Sequence, residues 1–138
     1  SPKVLQRWEQ ELDYDRGLPL LAFVDNKVVA DATLHRRRAG ARRHTGELRV
    51  VVQPQYRSRG LGTCMLQELV QIAYDAGLEQ LVTELASPGQ DDAIAAAERL
   101  GFVRVATLEG FARDIRGKPQ TLVFLQLPLG KWYEWWQF

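Results

Sequence analysis

The stretch Glu47-Leu-Arg-Val-Val-Val-Gln-Pro-Gln-Tyr-Arg-Ser-Arg-Gly-Leu-Gly-Thr63 decides the fold of this chain. Its β-branched run from Leu48 to Val52 predicts a strand, and Pro54 predicts a turn directly after it. Gly60 and Gly62 then open into a pattern of apolar residues at helical spacing. The stretch therefore predicts a strand, a short loop and a helix in immediate succession.

The loop between this strand and helix has the properties of a phosphate site. The first N–H groups of a helix lack partners within the helix and carry the positive end of its dipole, and glycines let a ligand approach them closely. Arg57 and Arg59 add forked donors that suit phosphate oxygens. The loop lacks the Gly-Lys-Ser/Thr of a nucleotide-triphosphate site and the third glycine of a dinucleotide site. It predicts a pyrophosphate site of another kind, and the alternative is an ordinary strand-to-helix turn.

Length and composition are those of one soluble domain. The chain has 138 residues and a net charge of +1, so its overall charge favours neither nucleic acid nor a membrane as partner. Cys64 is the one cysteine, which excludes an internal disulfide and is typical of a reducing compartment such as the cytoplasm. No apolar run approaches the roughly 18 residues of a membrane span, and no His/Cys cluster has metal-ligand spacing. We expect residues 1–138 to form a single cytoplasmic domain without a metal.

The segments before the opening stretch predict a helix and a hairpin. Residues 3–13 place apolar side chains at helical spacing and predict a short amphipathic helix. Residues 20–24 and 27–34 predict two strands, joined by a tight turn at Asp25-Asn26. The arginine-rich segment from Arg36 to Arg43 then predicts an exposed connection into the strand of the opening stretch.

The segments after the opening stretch predict a strand–helix–strand unit and a final pair of strands. The helix after Gly62 is expected to bury an apolar face, with Cys64 packing as a small hydrophobe; the residues of this face are Leu61, Met65, Leu69, Ile72 and Ala73. Residues 81–85 predict a strand parallel to Val50–Val52, and residues 91–100 a second helix. Strands are predicted at 102–106 and 120–127, with a polar loop between them. The tail, residues 129–138, carries three of the four tryptophans, so we expect it to cover the core or an oligomer interface.

Two motifs together resemble the GNAT acetyltransferase superfamily. Arg57-Ser58-Arg59-Gly60-Leu61-Gly62 is similar to that family's Gln/Arg-x-x-Gly-x-Gly/Ala, and Gln90 to Phe102 resembles its Asn-x-x-Ala-x-x-Leu-Tyr-Glu-x-Leu-Gly-Phe. The resemblance covers residues 3–128. It implies an α/β (α+β) fold with a mixed, mostly antiparallel sheet that is flanked by helices and has a central splay. The family's usual first strand has no counterpart in the predicted elements, so we expect the chain to lack it.

The resemblance also implies a function and a set of binding residues. The function is acetyl-CoA-dependent transfer of an acetyl group to a primary amine of a small molecule or a peptide. The backbone of Val50, Val51 and Val52 would pair with the pantetheine arm of acetyl-CoA. Seven consecutive residues would hold the pyrophosphate: Arg57, Ser58, Arg59, Gly60, Leu61, Gly62 and Thr63.

The resemblance implies a base for the reaction but leaves the proton donor unassigned. Glu47 occupies a frequent family position for the general base, and His44, His35 and Glu84 are alternatives. The family's tyrosine, the usual proton donor to the thiolate, falls on Ala97, which cannot donate a proton. That role would fall to water or to another residue, such as the two tyrosines Tyr56 and Tyr74.

Several alternatives stay open from the sequence alone. Ala97 favours a non-catalytic domain that binds acyl-CoA as a structural or regulatory ligand. The arginines of residues 36–43 would suit an acidic acceptor, or an RNA or ribosomal partner, although the absence of interleaved aromatic residues makes stacking on nucleic-acid bases a poor match. A homodimer through the aromatic tail or an open sheet edge is a further expectation.

Overall fold

The computed structural model describes residues 4–7, 17–36, 40–57 and 60–130. These residues form seven strands and two α-helices, together with a short 3-10 turn at Pro54–Tyr56. In chain order the elements are β1 (Val4–Arg7), β2 (Leu18–Val24), β3 (Lys27–His35), β4 (Thr45–Val52), α1 (Leu61–Asp75), β5 (Gln80–Ser87), α2 (Asp91–Arg99), β6 (Val103–Arg113) and β7 (Pro119–Pro128).

The seven strands form one sheet in the order β1-β2-β3-β4-β5-β7-β6. Within it, β4 and β5 pair in parallel and every other neighbouring pair is antiparallel. The turn between β2 and β3 has positive φ at both Asp25 (49°) and Asn26 (64°), as expected for a tight hairpin turn whose twist matches the strands. The predicted mixed, mostly antiparallel sheet is confirmed.

The parallel strands at the centre of the sheet, β4 and β5, pair along only half of their length. Their register runs from Thr45 opposite Gln80 to Leu48 opposite Thr83. Beyond that point β4 continues to pair with β3, and β5 continues to pair with β7. A cleft therefore opens between residues 49–52 and residues 84–87, and the predicted central splay is confirmed.

Both helices lie on one face of the sheet. α1 connects β4 to β5, and α2 connects β5 to β6. Both connections join parallel strands and move across the sheet in the same direction, so right-handed crossovers place both helices on the same side. α1 contacts β3, β4 and α2, and its buried residues are Leu61, Met65, Leu66, Leu69 and Ala73. Neither helix is long and apolar enough to cross a membrane, in the part of the chain that the structure describes.

The prediction that Cys64 packs in the core was wrong. Its side chain is exposed, whereas Met65 and Leu66, the next two residues, are buried. Successive helical residues are about 100° apart around the axis, and the contact of α1 with the sheet is centred on Met65 and Leu69. Cys64 therefore falls on the solvent side of the first turn.

The first strand corrects the expectation for the N-terminal segment. Val4 to Arg7 pair antiparallel with Phe23 to Leu20 of β2, where the sequence predicted a helix and no strand at this edge. Short apolar runs are ambiguous between helix and strand, and here the backbone groups of β2 that would otherwise be unpaired decide for a strand. Residues 8–13 of the predicted helix lie outside the described residues.

The final hairpin is longer than predicted. β6 extends to Arg113, and two register shifts in its pairing with β7 absorb extra residues between Arg104 and Ala106 and between Leu108 and Ala112. Gly110, with φ of 69°, lies inside the second irregularity. The sequence predicted a loop here, but a glycine is equally suited to a bulge within a strand. The tail from residue 131 lies outside the described residues, so a dimer formed through it stays a prediction.

Gly46 provides a test of how tightly the paired half of β4 and β5 is packed. A Cβ at this position would lie 2.8 Å from the side chains of Leu34 and Leu81 and 3.0 Å from that of Leu78. All three leucines are buried, so Gly46→Ala should lower the free energy of unfolding by about 1–3 kcal/mol through overpacking. Urea denaturation measures this change. Gly62→Ala is the matched control, because a Cβ there has its nearest neighbour at 3.8 Å; equal effects of the two substitutions would contradict the packing argument.

Candidate functional site

Two cavities meet at the point where β4 and β5 part. The smaller, about 380 Å³, lies on the helix side and is lined by the end of β4, the first turn of α1, β5 and α2. The larger, about 590 Å³, is lined by β4, β5 and the arginine-rich connection after β3. Thr83 lines both cavities. The two cavities therefore approach each other at Thr83, where the strands part.

Thr83 holds the strands together at this junction. Its hydroxyl donates a hydrogen bond of 3.0 Å to the carbonyl oxygen of Leu48, and Leu48 and Thr83 are the last residues in register between the two strands. The side chain is 5 % exposed. Thr83 was not singled out from the sequence, although a signal was present: it is a polar residue between the inward-facing Leu81 and Leu85.

The first turn of α1 presents unpaired donors to the smaller cavity. The first hydrogen bond of the helix runs from the N–H of Cys64 to the carbonyl of Gly60, so the preceding N–H groups have no partner within the helix. No side chain caps this end, and its first turn has no acidic residue. These features leave the positive end of the helix dipole open to an anion.

Glycine is favoured at the two positions of this loop for different reasons. Gly60 has φ of 80°, a conformation that favours glycine whatever its surroundings. Gly62 has no such constraint, and a Cβ there would be 3.8 Å from its nearest neighbour, Val52. Both line the cavity. The fold itself thus tolerates a side chain at position 62, and the space that glycine leaves open belongs to the cavity.

The three valines predicted to bind pantetheine line the same cavity. Val50, Val51 and Val52 lie beyond the last β4–β5 pair, so the edge of β4 that faces β5 offers backbone N–H and C=O groups to the cleft. A ligand can add to such an edge as an extra strand does. Arg57 closes the end of the strand, since its Nε donates to the carbonyl of Val52 at 3.0 Å. Ser58 and Arg59 lie outside the described residues.

The connection from β5 to α2 is held by its own side chains. The amide oxygen of Gln90 accepts a hydrogen bond from the N–H of Ala86 at 2.8 Å. The hydroxyl of Ser87 and the N–H of Gly89 donate to the carboxylate of Asp91 and lower its pKa below the usual value, with a smaller contribution from the charge of Arg104. Gln90, at the family's asparagine position, thus fixes the turn at the wall of the cavity.

The predicted base lies in the larger cavity. Glu47 is on β4, one residue before the strands part, and its carboxylate accepts a hydrogen bond from the guanidinium of Arg42 in an exposed ion pair. Glu84 and Arg49 line the same cavity, as does His35, which lies opposite Glu47 on β3. His44 does not line it; the backbone oxygen of His44 accepts hydrogen bonds from Glu79 and Gln80.

The candidate proton donors are separated by the structure. Ala97 is fully buried and lines the smaller cavity, so this wall has a methyl group where the family has a phenol. Tyr56, in the turn after β4, lines the same cavity but not the larger one. Tyr74 is 48 % exposed near the end of α1 and lines neither cavity. No tyrosine of the described residues lines both cavities.

The family model described as the acetyltransferase (GNAT) family matches residues 1–102. The chain belongs to this family. Solved structures with the same fold include an acetyltransferase of the GNAT family from Streptococcus pneumoniae, with a TM-score of 0.74 and 26 % identity over 84 % of this chain and 68 % of that one.

Two other solved structures carry more specific descriptions. A ribosomal-protein-alanine N-acetyltransferase from Brucella melitensis is 28 % identical, with a TM-score of 0.72 over 83 % of this chain and 70 % of that one. A Salmonella typhimurium protein assigned as an acetyltransferase was solved with its cofactor acetyl-CoA. It is 26 % identical, with a TM-score of 0.73 over 84 % of this chain and 66 % of that one.

The family's co-substrate is acetyl-CoA. The open end of α1 and the unpaired edge of β4, both at the smaller cavity, provide donors of the kind that pyrophosphate and amide groups require, and the glycines leave room beside them. The region predicted from the sequence to bind acetyl-CoA therefore lines this cavity, and its contacts with the cofactor stay predictions. Thr83 and α2 complete the walls of this region.

Thr83→Val tests the bond that ends the β4–β5 ladder. Valine keeps the shape but leaves the carbonyl of Leu48 without its hydroxyl donor, so the free energy of unfolding should fall by about 1–3 kcal/mol. Thr83→Ser keeps the hydroxyl and should recover most of this loss. Chemical denaturation of both variants measures the effect, and equal stability of Thr83→Val and the parent would show that the bond is not needed.

Gly62→Ala should separate folding from ligand binding. Without ligand, alanine should leave the helix as stable or more stable, by up to about 0.5–1 kcal/mol. At about 100 times the dissociation constant, acetyl-CoA should stabilise the parent protein by about 2.7 kcal/mol, and the new methyl group should reduce this gain. Thermal unfolding with and without acetyl-CoA measures both effects. Cys64→Ala, in the same turn but exposed, is the control; an undiminished gain in Gly62→Ala would place the cofactor elsewhere.

Proposed function

We propose that this chain is an N-acetyltransferase that moves the acetyl group of acetyl-CoA directly to a primary amine. The observation that carries the proposal is the meeting of two cavities at Thr83, where β4 and β5 part. A thioester bound along the smaller cavity would reach this junction from the helix side. An amine in the larger cavity would reach it from the opposite side, without a covalent enzyme intermediate.

The cofactor is positioned mainly by backbone groups. The pyrophosphate would lie at the open N-terminus of α1, held by residues 57–63, with the pantetheine arm along Val50, Val51 and Val52. The same edge of β4 would supply an N–H group to the thioester oxygen, where negative charge develops during the reaction. Because these contacts need few particular side chains, they are compatible with the loss of the family's tyrosine at Ala97.

The reaction requires one proton acceptor and one proton donor. The neutral amine attacks the carbonyl carbon; a C–N bond forms, the C–S bond breaks and CoA leaves as the thiolate. The base takes a proton from the ammonium group before the attack, and the thiolate is reprotonated afterwards. With no tyrosine among the described residues at the junction, we assign this last step to water, which the open larger cavity admits.

Glu47 is the proposed base. It lies in the larger cavity one residue before the splay, where its carboxylate pairs with Arg42. A carboxylate at this place can take a proton directly or through a water molecule. Glu84, which lines the same cavity from β5, is the second candidate.

Release of CoA thiol, measured with a panel of primary amines, tests the reaction and the base together. Glu47→Gln should lower kcat by about 10²–10⁴-fold, the usual contribution of a general base, and should change the pH profile of kcat/KM. Glu84→Gln, on the opposite side of the splay, is the matched variant. We expect it to change the KM for the amine more than kcat.

The outcomes separate the alternatives. A loss confined to Glu84→Gln would transfer the base role to Glu84, and no loss in either variant would remove a carboxylate base. Stabilisation by acetyl-CoA without thiol release for any amine would favour a non-catalytic acyl-CoA-binding domain, to which Ala97 also points. The panel should include a peptide with an N-terminal alanine, because the Brucella melitensis relative is a ribosomal-protein-alanine N-acetyltransferase.

A further inference from the structure

The larger cavity contains charges that the proposed base does not account for. Arg42 and Glu47 neutralise each other in an ion pair. Arg49 and Glu84 line the same cavity, and no side-chain hydrogen bond or ion pair joins either of them to another described residue. Beside Arg36, which also lines this cavity, a cation and an anion thus flank one opening, each with a side chain available to a ligand.

The register places these two residues on opposite sides of the cleft. Leu48 and Thr83 are the last pair of β4 and β5, so Arg49 and Glu84 are the next residues along each strand. Because side chains alternate along a strand, both point to the face that carries Glu47 and Val82. They flank the cleft where the strands part, next to Thr83 and hence next to the smaller cavity.

The other charged group close to Arg49 on this face is already engaged. Asp31 lies on β3, two residues from Thr33, which is the cross-strand partner of Arg49. The carboxylate of Asp31 accepts a hydrogen bond from the hydroxyl of Thr33 at 3.3 Å, and Asp31 does not line the larger cavity. The guanidinium of Arg49 is therefore a group on the β4 side of the cleft that can meet an anion, and Arg36, from the connection after β3, lines the same cavity.

We propose that the acceptor is a small primary amine that also carries a carboxylate, of the α-amino-acid type. Its carboxylate would receive paired hydrogen bonds from the guanidinium of Arg49, a geometry for which arginine is suited. Its ammonium group would lie against Glu84, beside the junction, before Glu47 removes the proton. An amine without an anionic group would leave Arg49 uncompensated, so the site discriminates by charge as well as by size.

This inference rests on the proposed acetyl transfer and specifies its acceptor. The atoms balance as in that reaction: the amine gains the acetyl group, the C–S bond breaks, and the proton of the ammonium group goes to Glu47. The acceptor's carboxylate stays intact and serves binding alone. Arg49 is thus a specificity-determining residue, and its effect should depend on the acceptor's charge.

The test compares kcat/KM for pairs of acceptors that differ by one charge. Each pair is measured with the parent protein and with variants in which Arg49 is replaced. The acceptors are leucine, phenylalanine, methionine and glutamate, each against its α-amide. We expect the parent protein to prefer the best acid over its amide by about tenfold or more in kcat/KM, the range of a hydrogen bond to a charged group. Arg49→Gln should remove this preference, and Arg49→Lys should keep part of it.

Arg43→Gln is the matched control. Arg43 lies in the arginine-rich connection before β4; its guanidinium donates to the backbone oxygen of Gly40, and it does not line the larger cavity. Its removal changes the net charge equally and should leave the preference for the acid unchanged. Comparing the acid-to-amide ratio of each variant with that of the parent protein cancels the intrinsic reactivities of the two amines.

Binding of the same compounds to the CoA-loaded protein, measured by titration calorimetry, keeps the two proposals distinguishable. Acetylation without any preference for the acid, or with a preference that survives in Arg49→Gln, would overturn the role of Arg49 and leave the acetyltransferase proposal standing. Binding of the acid that is lost in Arg49→Gln, without turnover of any amine, would support the site and overturn the reaction. Neither binding nor turnover would overturn both.

Discussion

One hydrogen bond marks the place on which the rest of the site depends. The hydroxyl of Thr83 donates to the carbonyl of Leu48 at the last position where β4 and β5 are in register. Up to this point the two parallel strands are paired, and Gly46 of β4 is tightly packed. Beyond it each strand keeps its other neighbour in the sheet. The cleft is therefore formed by two strands that diverge while each stays paired in the sheet.

The divergence gives the two faces of the sheet different chemistry. On the helix side, the open end of α1 and the unpaired edge of β4 provide backbone donors for a phosphate and an amide chain. On the other side, β4 and β5 carry charged side chains, because that face has no packed helix among the described residues. A cofactor and a polar acceptor can thus approach a single point from opposite directions.

Prediction from the sequence succeeded where the determining forces are local. The strand, the glycine-containing turn and the start of helix α1 follow from β-branched residues, glycines and helical spacing over seventeen neighbouring residues. The Asp25-Asn26 turn is equally local. Prediction failed at β1, where pairing with β2 overrides an ambiguous pattern, and at Cys64, whose exposure depends on how α1 is rotated against the sheet. The predicted β6 was also too short, since pairing with β7 continues the strand beyond Gly110.

The sequence by itself determined the family, because short motifs of consecutive residues carry the resemblance; that the loop at residues 57–63 binds the cofactor stays a prediction. It also named Glu47 and Glu84 as candidate carboxylates. Only the tertiary structure decided that Arg42 pairs with Glu47, that Tyr74 is remote, and that Arg49 and Glu84 flank the same opening. The placement of Arg49 and Glu84 depends on the register between β4 and β5, which joins residues more than thirty positions apart in the chain.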